Sequence, residues 1–257
     1  MMAARAHPQW IVPDWVAPAN VRALITTRAG GVSVSPFGAG AGGGMNIGLK
    51  SGDAIADVQS NRARLRAVLP AEPCWLQQVH GATVVRIDGD SAPATADAAI
   101  SLQPGRVCVV SIADCLPVLL ADRDGRAIGA AHAGWRGLAA GLIQDTAGEM
   151  RAMLGDADAE LVAYLGPAIG PAHFEVGKEV LAAMCERLPQ AGQAFAPMAQ
   201  GKYLADLFAL ARQALAQAGI ERIFGGGVCT FSDATRFYSY RRDRVTGRHA
   251  ALIWLEP

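Results

Sequence analysis

The tetrapeptide Arg123-Asp124-Gly125-Arg126 joins two apolar, β-like runs, PVLLAD (117–122) and AIGAAHAG (127–134), and constrains the fold more than any other stretch. Asp-Gly between such runs predicts a two-residue hairpin, because both central positions need positive φ. Arg123 then faces Arg126, and paired residue numbers sum to 249. That register sets His132 opposite Pro117. Cys115, two residues further, shares the face of His132 as its diagonal neighbour. Diagonal Cβ atoms lie roughly 7–8 Å apart, within reach of a shared ion or a bent hydrogen bond. Moving either residue by one would turn it to the opposite face. Pro117 falls, on this count, at a hydrogen-bonded position where it has no N–H to give, so the ladder is expected to bulge or stop there.

A cysteine and a histidine so placed can form a nucleophile with its base. They can equally be two ligands of a zinc ion, which favours thiolate and imidazole. An unrelated pair in a core is the commoner outcome of spacing alone. For a metal the third ligand must come from elsewhere, and His80, ending the apolar run WLQQVHG before Gly81, is the best candidate. Three protein ligands with an open fourth position is the catalytic arrangement of zinc, not the structural one.

The chain around this hairpin is a globular one. At 257 residues it can bury a substantial core, and 51% hydrophobic against 18% charged residues excludes a disordered class. Twenty-three basic residues balance 23 acidic ones, so neither nucleic acid nor a membrane surface is indicated as a partner. Pro8, Pro13 and Asp14 interrupt any leader-like apolar run, and no later stretch approaches the ~20 apolar residues of a membrane span. Five scattered cysteines give no disulfide framework, which points to reduced thiols and a cytoplasmic protein.

Strands are expected at 21–27, in TVVRID, AAISL and VCVVSIA, in the two arms of the hairpin, and in LVAYLGP, IFGGGVCT and ALIWL; CWLQQVHG reads as another. Helices are expected within 53–69, capped by Asp53, and over 136–154, 177–188 and 203–218. Residues 28–49 carry eight glycines and read as a long functional loop. Strands cluster ahead of helices, so the fold class is α+β, a mixed-sheet single domain over 1–257 with residues 1–15 a loose N-terminal arm.

Six segments in order, TTRAGGVSVSPF with MNIGL, WLQQVHG, SIADCLPVLL, AAHAGWRG, LGPAIGPAHFEVG and CTFSDATRFYSYRRDRVTGRHAALIW, resemble the laccase-domain, or YfiH-type, family of bacterial proteins. The resemblance implies central mixed β-sheets with outer helices, similar to the catalytic domain of cytotoxic necrotizing factor. It implies a metal site on His80, Cys115 and His132, and zinc-dependent phosphorolysis of adenosine, inosine, guanosine or methylthioadenosine, with adenosine deamination in some members. A role in editing peptidoglycan precursors is also attributed to relatives. Where relatives often carry cysteines this chain has Ala172, His173 and Ser232, and Arg244 stands where glycine is common.

Multicopper chemistry needs more imidazoles than five histidines can supply, so copper would be an adventitious occupant. The common zinc deaminase pattern, H-x-E with P-C-x-x-C, is absent. For a phosphate-using reaction, Arg28 at the mouth of the glycine loop and Arg136 at a helix start are the candidate anion holders, although both are residues that otherwise read as solvated surface. Asp97 can orient an imidazole or bond a ribose hydroxyl. Asn46 and Gln78 are candidate ribose or base contacts, Gln78 alternatively satisfying backbone groups. The expectation is a monomeric enzyme acting on a purine nucleoside and phosphate. Its rivals are a Cys115-dependent amidase and a non-catalytic nucleotide-binding protein.

Overall fold

The computed structural model describes residues 5–38, 42–89 and 94–257. Its centre is a six-stranded mixed sheet, with strands numbered in chain order: β13 (Arg222–Gly225), β9 (Leu161–Leu165), β7 (Leu116–Asp122), β8 (Ile128–Ala133), β5 (Ala98–Ser101) and β4 (Val84–Arg86). The outer pairs are parallel and the inner ones antiparallel. A second antiparallel sheet, β1 (Val21–Ile25), β14 (His249–Leu255) and β6 (Val107–Ile112), packs on one face. Small sheets of β10 (Glu175–Val176), β12 (Tyr203–Ala205) and β11 (Phe195–Pro197), and of β2 (Ala29–Gly31) with β3 (Gly43–Gly44), complete the β-structure.

Side-chain alternation explains the layering. On β7, Leu116, Val118 and Leu120 face the core beneath the helices, while Leu119 and Ala121 face the second sheet. On β8, Ala131 and Ala133 take the helical side, and Ile128 and Ala130 the other. Both faces are covered, so every residue of both strands is buried and the runs read as continuously apolar. The second sheet alternates likewise, with Val110 and Ile253 inward and Val109 and Leu252 against α1 (Ile55–Arg66). Four further helices lie on the far face: α2 (Trp135–Ala140), α3 (Leu142–Leu154), α4 (Lys178–Arg187) and α5 (Leu207–Gln217). The expected α+β class, central mixed sheets with outer helices, is the observed one. Among the described residues no helix is long and apolar enough to cross a membrane.

The hairpin register is as read, Pro117 opposite His132 and Ala121 opposite Ile128. Its turn is not. Asp122 and Ala127 close the ladder (Asp122 N to Ala127 O, 2.9 Å), so four residues form the loop, and Gly125 alone takes positive φ (72°). Moving closure by one residue on each arm keeps the register but inverts which pairs are hydrogen-bonded. The backbone N–H of His132 accordingly donates across to Asp97 O on the β5 side (2.7 Å). Pro117 therefore sits at a non-hydrogen-bonded position toward β8, and the ladder runs on to Leu116–Ala133 without a break.

Other expectations need correction. The run CWLQQVHG forms no strand: Cys74 makes one bridge to Cys108 and residues 75–81 are irregular. The helix expected over 136–154 is two, because Gly141 adopts φ 93° and ends α2 in a left-handed cap. Residues 203–205 belong to β12, and α5 starts after Asp206, whose carboxylate accepts from Phe208 N and Ala209 N. Asp53 does not cap α1; Ala54 holds that position without a side-chain bond. The N-terminal arm is not loose beyond residue 9. Trp10 is buried, with its indole N–H on Ala29 O, and Ile11 pairs with Ile25.

Candidate metal centre

Cys115 lies one residue before β7 and His132 near the end of β8, on the face turned to the second sheet. The register places Cys115 across from Gly134. A Cβ built on Gly134 would come within 2.9 Å of Cys115 Sγ, so a side chain there would displace the sulfur. His80 arrives from the irregular segment 75–81, with its ring centroid 4.8 Å from that of His132. One donor atom each from His80, Cys115 and His132 lie within 4.8 Å of one another. Among the described residues no other group of three metal-ligating side chains converges.

One carboxylate arranges both histidines. Asp97, fully buried just ahead of β5, accepts from the backbone N–H groups of Val79 (3.1 Å), His80 (3.0 Å) and Gly81 (2.7 Å). Its Oδ1 also meets His132 Nδ1 at 2.9 Å. Burial alone would raise the Asp97 carboxyl, but His132 and the backbone donors outweigh it and hold the group below its ordinary value, as a carboxylate. A carboxylate on Nδ1 fixes the tautomer and leaves Nε2 as the ligand atom.

Burial also opposes charge on Cys115. His132 and His80, both within hydrogen-bonding reach of the sulfur, overcome it and bring the thiol down. His132 is pulled down by burial and pushed up further by Cys115 and Asp97. The two shifts both favour a thiolate facing an imidazolium, and a thiolate is an anionic donor suited to a cation. A thiolate with two imidazoles is the donor set of zinc and unlike that of magnesium or calcium, which take oxygen. The residues fit such an ion.

Two of the four non-glycine residues with positive φ among the described residues are here, His80 (62°) and Asp114 (97°). The surroundings over-determine both, as strained site residues require. Asp97 clamps the backbone of His80. Asp114 accepts from Thr230 Oγ1 (2.6 Å) and Arg241 N (2.7 Å), and its carbonyl accepts from Ile169 N (2.9 Å).

The remaining sequence candidates divide. Asp97 meets the imidazole of His132, the contact that the first of its two expected roles requires. Arg28 is a loop staple, not a free anion holder: its guanidinium reaches the carbonyls of Gly38, Pro36 and Ala234 and lies 5.0 Å from the Tyr238 ring. Asn46 is fully buried, donating to Ser51 and Asp53 and accepting from Gly48 N and Arg248 N, which leaves nothing for a ribose. Gln78 exchanges two hydrogen bonds with the backbone of Ser111 (2.9 and 2.7 Å). Arg136 is exposed at the start of α2, 4.4 Å over the ring of half-buried Trp135. Sequence reasoning missed Thr230 and Arg248, which reach this end of the sheets from irregular segments, and Arg241, which comes from a one-turn helix, α6 (Tyr240–Asp243).

A profile of the family described as multi-copper polyphenol oxidoreductase laccase matches residues 22–256. The chain belongs to this laccase-domain family. It is 49% identical to a purine nucleoside phosphorylase of Pseudomonas aeruginosa over 96% of this chain and 98% of that protein. It is 47% identical to purine nucleoside phosphorylase YfiH of Escherichia coli, over 95% and 98%. Among solved structures, a Neisseria meningitidis protein superposes with a TM-score of 0.86 at 43% identity, covering 97% of this chain and all of that one. YlmD of Geobacillus stearothermophilus gives 0.84 at 29%, covering 93% of each. The laccase label does not describe the donors of this member. His173 is stacked on Phe231, and buried His249 takes the Tyr238 N–H on Nε2, so neither is placed to extend the site. A cluster of coppers has too few imidazoles.

Proposed function

We propose that this laccase-domain protein is a cytoplasmic, monomeric purine nucleoside phosphorylase whose site is a zinc ion on His80, Cys115 and His132. The convergence of these three side chains around one point, with Asp97 behind both histidines, is the observation that carries it. The names of relatives that align over nearly the whole chain supply the reaction class. A zinc ion so held supplies Lewis acidity for a substrate or phosphate oxygen. The protein's own part is positioning. Asp97 keeps the proton of His132 on Nδ1, the bonds to Asp114 hold the turn leading into Cys115, and Arg136 offers an exposed cation at the start of α2. The test is product identification: inosine must give hypoxanthine and ribose 1-phosphate only when phosphate is present, and chelation must stop the reaction. With adenosine, adenine reports phosphorolysis and inosine reports deamination.

A second reading has its own support. Asp97 is hydrogen-bonded to His132, and His132 has a ring nitrogen within 4.8 Å of Cys115 Sγ, the order of a carboxylate–imidazole–thiol triad. A Cys115-dependent hydrolase would survive chelation, and alkylation of the metal-free protein would stop it.

A further inference from the structure

The geometry points to Arg248 as the anion-binding side chain of this site, receiving a tetrahedral oxyanion, inorganic phosphate, between the centre and the loop before β14. The identity of that anion rests on the phosphorolytic reading above.

β14 begins at His249, paired with Ile112. One further step of the same antiparallel register sets Arg248 beside Ala113, next to Asp114 and Cys115. Arg248 is held there from several sides. Its backbone N–H donates to Asn46 Oδ1 (2.8 Å), which is why buried Asn46 has no capacity left for a ligand. Its stem crosses Gly48, where a Cβ would meet Arg248 Cγ at 2.7 Å. Nη1 donates to the carbonyls of Thr246 (3.0 Å) and Gly247 (2.9 Å). The exposed ring of Tyr240 lies 6.0 Å from the guanidinium carbon.

What the fold leaves open is as informative. Among the described residues Nε and Nη2 of Arg248 have no hydrogen-bond partner, no carboxylate lies within ion-pair distance, and neither nitrogen is sealed from solvent. Its neighbours differ. Arg28 is tied to three carbonyls, Arg242 pairs with Asp243, and Arg241 bonds Glu175 O. The charge of Asp114 is already met by Thr230 and Arg241 N–H, and that of Cys115 is the one a metal would take. A half-buried guanidinium without a counter-ion is costly, and burial does lower its proton affinity. A guanidinium edge presenting two adjacent N–H groups matches two oxygens of a tetrahedral anion.

The experiment uses the full-length, zinc-loaded protein and the variants R248Q and R248K. With inosine as co-substrate, R248Q should raise KM for phosphate about 10- to 100-fold, the weight of a charge-assisted pair, and leave KM for inosine within twofold. R248K, which keeps the charge and loses the fork, should recover part of that loss. Zinc content should be unchanged in both. An unchanged KM for phosphate, or a change confined to inosine, overturns the inference. Titration of inorganic phosphate into each protein, followed by calorimetry, separates this inference from the function. If the wild type turns over no nucleoside, the phosphorylase reading fails; phosphate binding that is lost in R248Q and partly restored in R248K still supports the anion site. Equal binding by all three proteins, or none by the wild type, overturns it.

Discussion

The two histidines of this site arrive by opposite routes. His132 and Cys115 are set by a β-ladder, where period-two alternation and one turn fix every side chain on the β7 and β8 arms. His80 belongs to a segment with no ladder, in a left-handed backbone conformation, held by the carboxylate of Asp97 on three successive N–H groups. The ladder spreads its positioning over many bonds, whereas the loop concentrates it in one side chain. Asp97 also bonds His132, so it couples the two arms and is the point at which both fail together.

Changes on the regular arm that remove a donor should have the largest effect. Cys115→Ala and His132→Ala each leave two ligands, and metal analysis should find less than a tenth of the wild-type zinc, with phosphorolysis abolished. Asp97→Asn comes next. Its amide still approaches His132 but gives up the charge and one acceptor, and loss of such a partner weakens metal binding about 10- to 100-fold, read by competition with a chelator. A zinc affinity equal to wild type in Asp97→Asn would break the contrast, since the loop would then not depend on that carboxylate. Gly134→Ala tests the sterics of the ladder end. The backbone there suits alanine (φ −66°, ψ 165°), so the cost comes from the contact with Cys115 Sγ, about 1–3 kcal/mol in thermal unfolding.

A pH experiment separates the site from the second sheet. His249 is fully buried, and burial drives its imidazole down to about 3. Above the ordinary histidine value neither state binds the proton and there is no penalty. As pH falls from about 6.5 toward 3 the unfolded chain protonates and the fold does not, so stability declines by on the order of a few kcal/mol. In zinc-loaded protein, with the site histidines held neutral as ligands, His249→Gln should flatten this limb of the denaturation curve between pH 6.5 and 4.5. The smallest effect belongs to Arg244, which sits at φ 60° and ψ −62° in a tight turn closed by Val245 N to Asp243 O. Glycine enters that region without strain, and Arg244→Gly should raise stability by no more than about 1 kcal/mol.

The comparison also explains what could be read from the chain. Register and facing of the hairpin were legible because an Asp-Gly turn and uninterrupted β-runs leave little choice, and an error in turn type shifted the bonding pattern without moving a side chain. His80 was legible as a residue but not as a conformation. WLQQVHG has the composition of a strand, yet its last three N–H groups go to a carboxylate 16 to 18 residues away, a pairing no local pattern announces. Asn46, Gln78 and Arg28 are polar types that serve substrates and backbones equally, and here the backbone has them. Arg248 gave no signal, since its role follows from β14 joining β6 across more than a hundred residues. Gly141 broke a helix whose leucines keep period through it, because a left-handed residue interrupts the axis and not the pattern.

X-ray absorption at the zinc edge of the purified protein tests the three-donor centre itself. One zinc per chain is expected, bound by a single sulfur and two imidazole nitrogens with one lighter exchangeable ligand, the sulfur shell vanishing in Cys115→Ser. A first shell of oxygens alone, or an unaltered spectrum in that variant, would contradict it.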